Sequence, residues 1–147
     1  METYHGIGQL NFKVNFYDGK QDGLWEYYYE NGQLDAREPY INGKGEGLYE
    51  SYYDNGVLDR RGLWKNNKQE GLWTYYHENG RLKTTSFWIN NLRQGKKIWY
   101  YDNGDLHKDG MCENSKCIYK VYDKTGKLTS QETLEVQEKW MRYSTNK

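Results

Sequence analysis

A seven-residue phrase recurs down this chain at a nearly fixed period, and it limits the fold more than any other feature. It reads Tyr28-Tyr29-Glu30-Asn31-Gly32-Gln33-Leu34, then Tyr52-Tyr53-Asp54-Asn55-Gly56-Val57-Leu58. It returns as Tyr76-His77-Glu78-Asn79-Gly80-Arg81-Leu82 and Tyr100-Tyr101-Asp102-Asn103-Gly104-Asp105-Leu106. The glycines Gly32, Gly56, Gly80 and Gly104 stand 24 residues apart. A period of that size marks a repeat architecture, in which each unit buries its apolar surface against its neighbours. A degenerate copy runs from Cys117 to Leu128, after a step of 22 rather than 24 from Gly104 to Gly126, so two residues are missing from that connection. At the other end Gly8-Gln9-Leu10 lies 24 residues before Gly32-Gln33-Leu34, so the chain begins within a half repeat.

Each unit reads as two strands. Asn-Gly suits a type I′ turn with positive φ at both central positions, and the aromatic runs before it, such as Leu24 to Tyr29, suit strands. A second turn closes each unit at Asp18-Gly19, Asn42-Gly43, Asn66-Asn67 and Asn90-Asn91, where left-handed backbone is again expected. Pro39, the single proline, falls in a strand position where it weakens the ladder locally. The expected fold is all-β: an elongated meander of consecutive antiparallel hairpins, about 11–12 strands, roughly 50–55 Å long at about 4.8 Å per strand. The units are a half repeat 1–22, repeats 23–46, 47–70, 71–94 and 95–116, and a degenerate repeat 117–136. Residues 137–147, with Trp140, Met141 and Tyr143, form a tail or a short cap.

Alignment of the units gives columns. Tyr28, Tyr52, Tyr76, Tyr100 and Tyr122 form one, Leu34, Leu58, Leu82, Leu106 and Leu128 a second, and Tyr40, Trp64, Trp88, Cys112 and Leu134 a third. These three are expected to stack as the core. Trp25, Tyr49, Trp73, Lys97 and Tyr119, with Tyr27, Ser51, Tyr75, Trp99 and Val121, are expected on the opposite face. Aromatic residues are 17% of the chain and half of its hydrophobic content, so rings rather than aliphatic filling must supply the core.

Charge is balanced overall but not along the chain. Residues 1–60 carry 11 acids and 5 bases, and residues 61–147 carry 10 acids and 16 bases. In a repeat array, position in sequence is position along the axis, so one end is acidic and the other basic. Such a surface steers a partner or allows head-to-tail self-association. No apolar run approaches the ~18 residues of a membrane-spanning helix, and the first residues do not read as a signal peptide. A cytoplasmic location is expected, with export as the alternative if a leader has been removed. Of the three histidines, His77 replaces a repeat tyrosine and His107 follows a repeat leucine, so both read as column substitutions rather than ligands. Cys112 and Cys117 are expected as two reduced thiols, with a bridge across adjacent strands as the alternative. No catalytic constellation and no metal-ligand spacing is visible.

The pattern Gly-Leu-Trp-x-Tyr-Tyr-x-x-Asn-Gly-x-Leu, followed by Asn-Gly-Lys, resembles the MORN repeat variant family. Gly23 to Leu34 with Asn42-Gly43-Lys44, and Gly71 to Leu82, match it well, while Lys96-Lys97 and Cys117 depart from it. The resemblance implies a sheet of hairpins, no catalytic residues and no cofactor, and it extends to members of antitoxin or immunity type. Trp99 to Gly104 also resembles cell-wall-binding repeats, whose aromatic cages hold choline or glycan.

The leading functional reading is a non-enzymatic protein-binding module, most concretely an immunity-type protein that masks a basic toxin. Trp25, Tyr27, Tyr29, Tyr49, Tyr53, Trp73 and Tyr75 are its expected contacts, with Glu26, Glu30, Glu50 and Asp54 as an electrostatic rim. Carbohydrate or cell-surface ligand binding by aromatic stacking is the second reading. Binding of an anionic membrane or scaffold by the basic half is the third, and nucleic acid is not expected, because no continuous basic cluster exists.

Overall fold

The computed structural model describes residues 1–135; the expected tail or cap at 137–147 lies outside them. The described residues contain no helix. The strands are β1 Glu2–Tyr4, β2 Leu10–Lys13, β3 Phe16–Tyr17, β4 Lys20–Gln21, β5 Gly23–Tyr28, β6 Leu34–Ile41, β7 Lys44–Gly45 and β8 Gly47–Tyr52. They continue as β9 Leu58–Lys65, β10 Lys68–Tyr76, β11 Leu82–Ile89, β12 Leu92–Tyr100, β13 Leu106–Glu113, β14 Lys116–Tyr122 and β15 Leu128–Glu135. Each main strand pairs antiparallel with its neighbours in sequence, giving one 13-stranded open meander, with β3 and β4 forming a separate two-stranded ribbon. The elongated all-β hairpin array read from the repeat is the architecture of the chain.

The second turns carry the left-handed backbone expected of them, but the Asn-Gly loops are not the expected type I′ turns. In the Asn-Gly loops only the glycine has positive φ, as at Gly32 (φ 83) and Gly56 (φ 82). Tyr29 N–H donates to Gln33 O at 2.8 Å and Gly32 N–H to Tyr29 O at 2.9 Å, which closes a three-residue loop ending in a left-handed glycine. The type I′ geometry belongs to the other turns, where both central residues are left-handed: Asn42 (φ 50) with Gly43 (φ 80), and Asn66 (φ 49) with Asn67 (φ 62). Asparagine tolerates that region because its short amide bonds locally.

Both edges of the sheet are stitched from unit to unit. Asn31 Oδ1 accepts from Gln33 N–H inside its own loop at 2.9 Å, while its Nδ2 donates to Asp54 O of the next loop at 2.8 Å. Asn55 and Asn79 repeat the pattern. At the other edge Glu46 accepts from Asn66 N–H at 2.8 Å and Glu70 from Asn90 N–H at 2.9 Å. The repeated asparagines and acids are thus hydrogen-bond fixtures, since turn backbone groups must find partners.

A bulge after each Asn-Gly loop decides which side chains share a face. Tyr28 pairs with Leu34 and Tyr27 with Ala36, which leaves Asp35 as an extra residue. One extra residue inverts the alternation. The Tyr40 column therefore does not share a face with the Tyr28 and Leu34 columns, as strict period-2 counting from Leu34 implies. It shares a face with the Trp25 column: the Trp25 and Tyr40 rings are 5.2 Å apart. Tyr40, Trp73, Trp88, Cys112, Cys117 and Tyr119 are buried on this aromatic face, whereas Leu82, Leu106 and Leu128 are exposed on the other.

Among the described residues the core is made without a second layer, because rings lie down on the sheet that carries them. A Cβ built on Gly62 would collide with the Trp73 indole, and one on Gly110 with the Tyr119 ring. Glycine opposite the ring is what allows it to lie flat. Trp73 Nε1–H donates to Leu63 O at 3.2 Å, and Trp25 Nε1–H to Asn15 O at 2.9 Å.

A second bulge follows the type I′ turns before the last unit. Glu70 pairs with Leu63 and Thr74 with Arg61, so three residues of β10 oppose one of β9, at Gly71 with φ 68. In the final unit this bulge is absent: β13 and β14 pair without a shift. The two residues missing from the 22-residue step are therefore those of the bulge, not of the turn, which survives at Asn114-Ser115. The type I′ turn at Asn114-Ser115 sets Cys112 opposite Cys117, just as the same turn sets Trp64 opposite Gln69 and Trp88 opposite Arg93 in units that keep the bulge. The expectation of reduced thiols is corrected here: Cys112 and Cys117 form a disulfide, with Cα atoms 4.0 Å apart. Pro39 sits opposite Leu24 in the stretch where β6 has no ladder partner between β7 and β8, so its missing N–H leaves no ladder bond unmade.

Candidate interaction surfaces

The eleven expected contact residues are divided among three surfaces rather than gathered on one. Trp25, Tyr27, Tyr49, Trp73 and Tyr75 lie on the aromatic face. There Trp73 is only 1% exposed, stacked on Tyr49 at 5.7 Å, so it holds the sheet together and offers no surface to a partner. Burial pushes the Tyr27 hydroxyl well above its usual range, and the Glu38 carboxylate adds to the shift. Burial likewise raises the Glu38 carboxyl, although the Tyr40 hydroxyl bound to it opposes the shift. Arg60 lies 5.9 Å from the Tyr75 ring and pairs with Asp59 at 2.7 Å.

Tyr29 and Tyr53 belong to a third set, a ladder along the loop edge. Tyr29 Oη–H donates to Tyr52 O and Tyr53 Oη–H to Tyr76 O, each at 2.7 Å. Burial first, and then Asp59, pushes Tyr53 up to about 12. His5 and His77 occupy the same column. Each places Nε2 2.9 Å from a backbone carbonyl, of Tyr28 and Tyr100, so the ring must donate from that nitrogen. The histidines substitute for tyrosine as donors, as the column alignment implies. Glu30 and Asp54 stand exposed at the loop tips with Glu78 and Asp102, an acidic row along one edge.

Glu26 and Glu50 point to the opposite, aliphatic face. Tyr28 Oη–H donates to Glu26 and Tyr52 Oη–H to Glu50, each at 3.2 Å, and Arg37 lies 3.7 Å from Glu50. The residues that dominate this face escape a search for aromatic hot spots. Leu24, Leu48, Leu63, Leu72, Phe87, Met111 and Ile118 are each 40–60% exposed. Leu48 pairs with Leu63, Leu72 with Phe87 and Met111 with Ile118, so they follow one another from strand to strand as a stripe. From β5 to β14 the stripe runs about 38 Å at about 4.8 Å per strand, and within it the register sets Glu70 opposite Leu63, Gln94 opposite Phe87 and Lys96 opposite Met111. The sequence signal is the leucine between the unit glycine and the Trp25 column, repeated at Leu24, Leu48 and Leu72.

The lengthwise charge asymmetry also reaches the aromatic face. The bulge position after the Asn-Gly loop is Asp35 and Asp59 in two units, then Lys83 and His107 in the next two. Around the latter pair lies a cavity of about 600 Å³, whose walls include Lys83, Arg93, Trp99, Tyr101, His107, Lys108 and Tyr119. The Tyr101 and His107 rings stack at 4.2 Å. Burial, and then the neighbouring Lys108, lowers the His107 pKa. Among the described residues no cluster of His, Cys, Asp and Glu could hold a metal ion, and no helix is long and apolar enough to cross a membrane.

The MORN repeat variant model matches four consecutive segments, residues 21–42, 45–66, 69–90 and 93–111. These are more than half of the chain, and the protein belongs to the MORN repeat variant family, whose units form repeat modules for binding. No curated protein matches the chain significantly. Among solved structures, a chain in the "Crystal structure of GtfA/B complex bound to UDP and GlcNAc" is similar over 84% of this chain, with 9% identity and a TM-score of 0.31. This chain spans 24% of that protein's length, and a likeness at that level supports no argument about fold or function.

Proposed function

We propose that the chain is a non-enzymatic module that docks a protein partner on its aliphatic face, and that it masks a basic partner in the manner of an immunity or antitoxin protein. The observation that carries this reading is the stripe of half-exposed aliphatic side chains on consecutive strands. Contiguous apolar surface of that extent on a folded domain marks an interaction site. The partner's chemistry follows from the rim. The exposed loop acids Glu30, Asp54, Glu78 and Asp102 border this face along one edge and favour a basic partner, captured quickly and with strong salt dependence. Glu26 and Glu50, in the row beside the stripe, add to that field. The Cys112–Cys117 bridge, a bond that persists in oxidising compartments, favours export over a cytoplasmic location.

The test is capture from the native organism by wild type and by Leu63→Asp/Leu72→Asp, whose side chains are exposed and whose replacement leaves the core intact. A basic protein held by wild type, released by salt and lost from the double variant supports the reading. Capture unaffected by the double variant overturns it. Glu50→Ala is expected to slow association with little change in dissociation.

A further inference from the structure

Because the units repeat, each position can be compared with its own counterparts, and on the aromatic face the departures gather in one place. The ring position Trp25, Tyr49, Trp73 becomes Lys97, and the neutral position Gln21, Gly45, Gln69 becomes Arg93. At the bulge position Asp35 and Asp59 give way to Lys83. Lys97 and Arg93 are each only 2% exposed. Removing an ion from water costs several kcal/mol. Arg93 lies 4.8 Å from the Trp88 ring and Lys97 4.8 Å from the Trp99 ring, contacts that return about 2 kcal/mol each when desolvated. A scaffold that stands with neutral side chains at the Arg93 and Lys97 positions in its other units carries buried cations here, and Arg93 and Lys83 line the cavity of about 600 Å³.

We propose that this cavity binds an anionic, ring-bearing small molecule. Lys83, Arg93 and Lys108 hold the anionic group, and the ring lies against Trp99 and the Tyr101–His107 stack. The volume of about 600 Å³ is within the range of sites for small organic ligands, roughly 300–1,000 Å³. The walls supply flat apolar surface, and rings stack on such walls. Among the described residues Asp102 is the one carboxylate lining the cavity, against three cations. Glu132 lies just outside it and holds Lys108 Nζ at 2.7 Å, which fixes the position of that ammonium. A recess with low-dielectric walls and a surplus of one sign focuses its field on a ligand of the opposite sign. The proposal concerns the aromatic face of the basic half and does not depend on how the aliphatic face is used.

The full chain is titrated with 2-naphthoate and with its neutral isostere 2-naphthamide, and binding is followed by calorimetry and by the indole resonances in NMR. The naphthoate is expected to bind at least tenfold more tightly than the amide and to perturb the Trp99 indole. Lys83→Gln, at a half-exposed position that leaves folding intact, is expected to weaken naphthoate binding about tenfold, the usual worth of one charged hydrogen bond. It should leave the amide unaffected. Lys68→Gln, exposed at a type I′ turn, serves as the control and should change neither. Equal binding of naphthoate and amide, equal effects of the two lysine variants, or no binding of naphthoate at millimolar concentration would each overturn the proposal.

Discussion

Two stretches of the aromatic face occupy the same backbone frame and carry opposite chemistry. Between β6 and β10 the face is a continuous ring stack in which Tyr49, Trp64 and Trp73 fill the space above Gly62, with the acids Asp35, Glu38 and Asp59 set among them. Between β11 and β14 Lys83 stands at the place of Asp35 and Asp59, Arg93 and Lys97 stand at places that are neutral in the first stretch, and the ring stack opens into a cavity. The difference shows what a hairpin repeat leaves free. The hairpin turns and the bulge after each Asn-Gly loop recur in both halves, so the scaffold places no demand on the charge of the side chains between them. The first half spends its positions on packing and the second holds polar groups around a void.

The largest expected effect separates the two halves directly. Trp73→Ala should cost about 3–5 kcal/mol in urea unfolding, the usual loss for a buried aromatic. Trp99→Ala, at the cavity wall, should cost distinctly less, and equal losses would show that the cavity wall is as tightly packed as the stack. Next, Gly56→Val should cost in the upper part of about 1–3 kcal/mol. A β-branched residue is strained at φ 82, and its Cβ would crowd Gln33 Oε1. An unchanged melting temperature would contradict the left-handed loop glycine. Breaking the Cys112–Cys117 bridge with a double serine variant closes no large loop, so the expected loss is about 2 kcal/mol. Hydrogen exchange should rise in β13–β15 and not in β5–β9; a uniform rise would mean that the halves unfold as one.

The smallest effect tests the acidic half alone. The Glu38 carboxyl is raised by burial, so its ionised form is the disfavoured one in the fold. Below the unfolded carboxylate pKa the residue is protonated in both states and carries no penalty. The penalty enters as pH rises through that value toward the folded one. Glu38→Gln should therefore melt higher than wild type at neutral pH, and the two should converge as pH falls below about 4. A variant that melts lower at pH 7 would show that the carboxylate is needed as an anion.

Much of this was legible in the residues. The 24-residue period, Asn-Gly glycines and aromatic runs determined a hairpin array, because local turn chemistry and cross-strand pairing are decided within each unit. Column alignment also identified His77 as a stand-in for tyrosine. Three things were settled only by the folded chain. The bulge at Asp35 inverts the alternation, so counting by twos from Leu34 assigned the Tyr40 column to the wrong face. Bulges are set by pairing with the neighbouring strand, which composition does not report. The shortened last unit showed as a missing pair of residues, but only pairing revealed that the bulge had gone while the turn still sets Cys112 opposite Cys117. The candidate site followed the same division. Rings were visible as columns, yet whether a ring such as Trp73 lies flat and buried, and whether a leucine such as Leu63 stands in water, depends on what the adjacent strands place beside it.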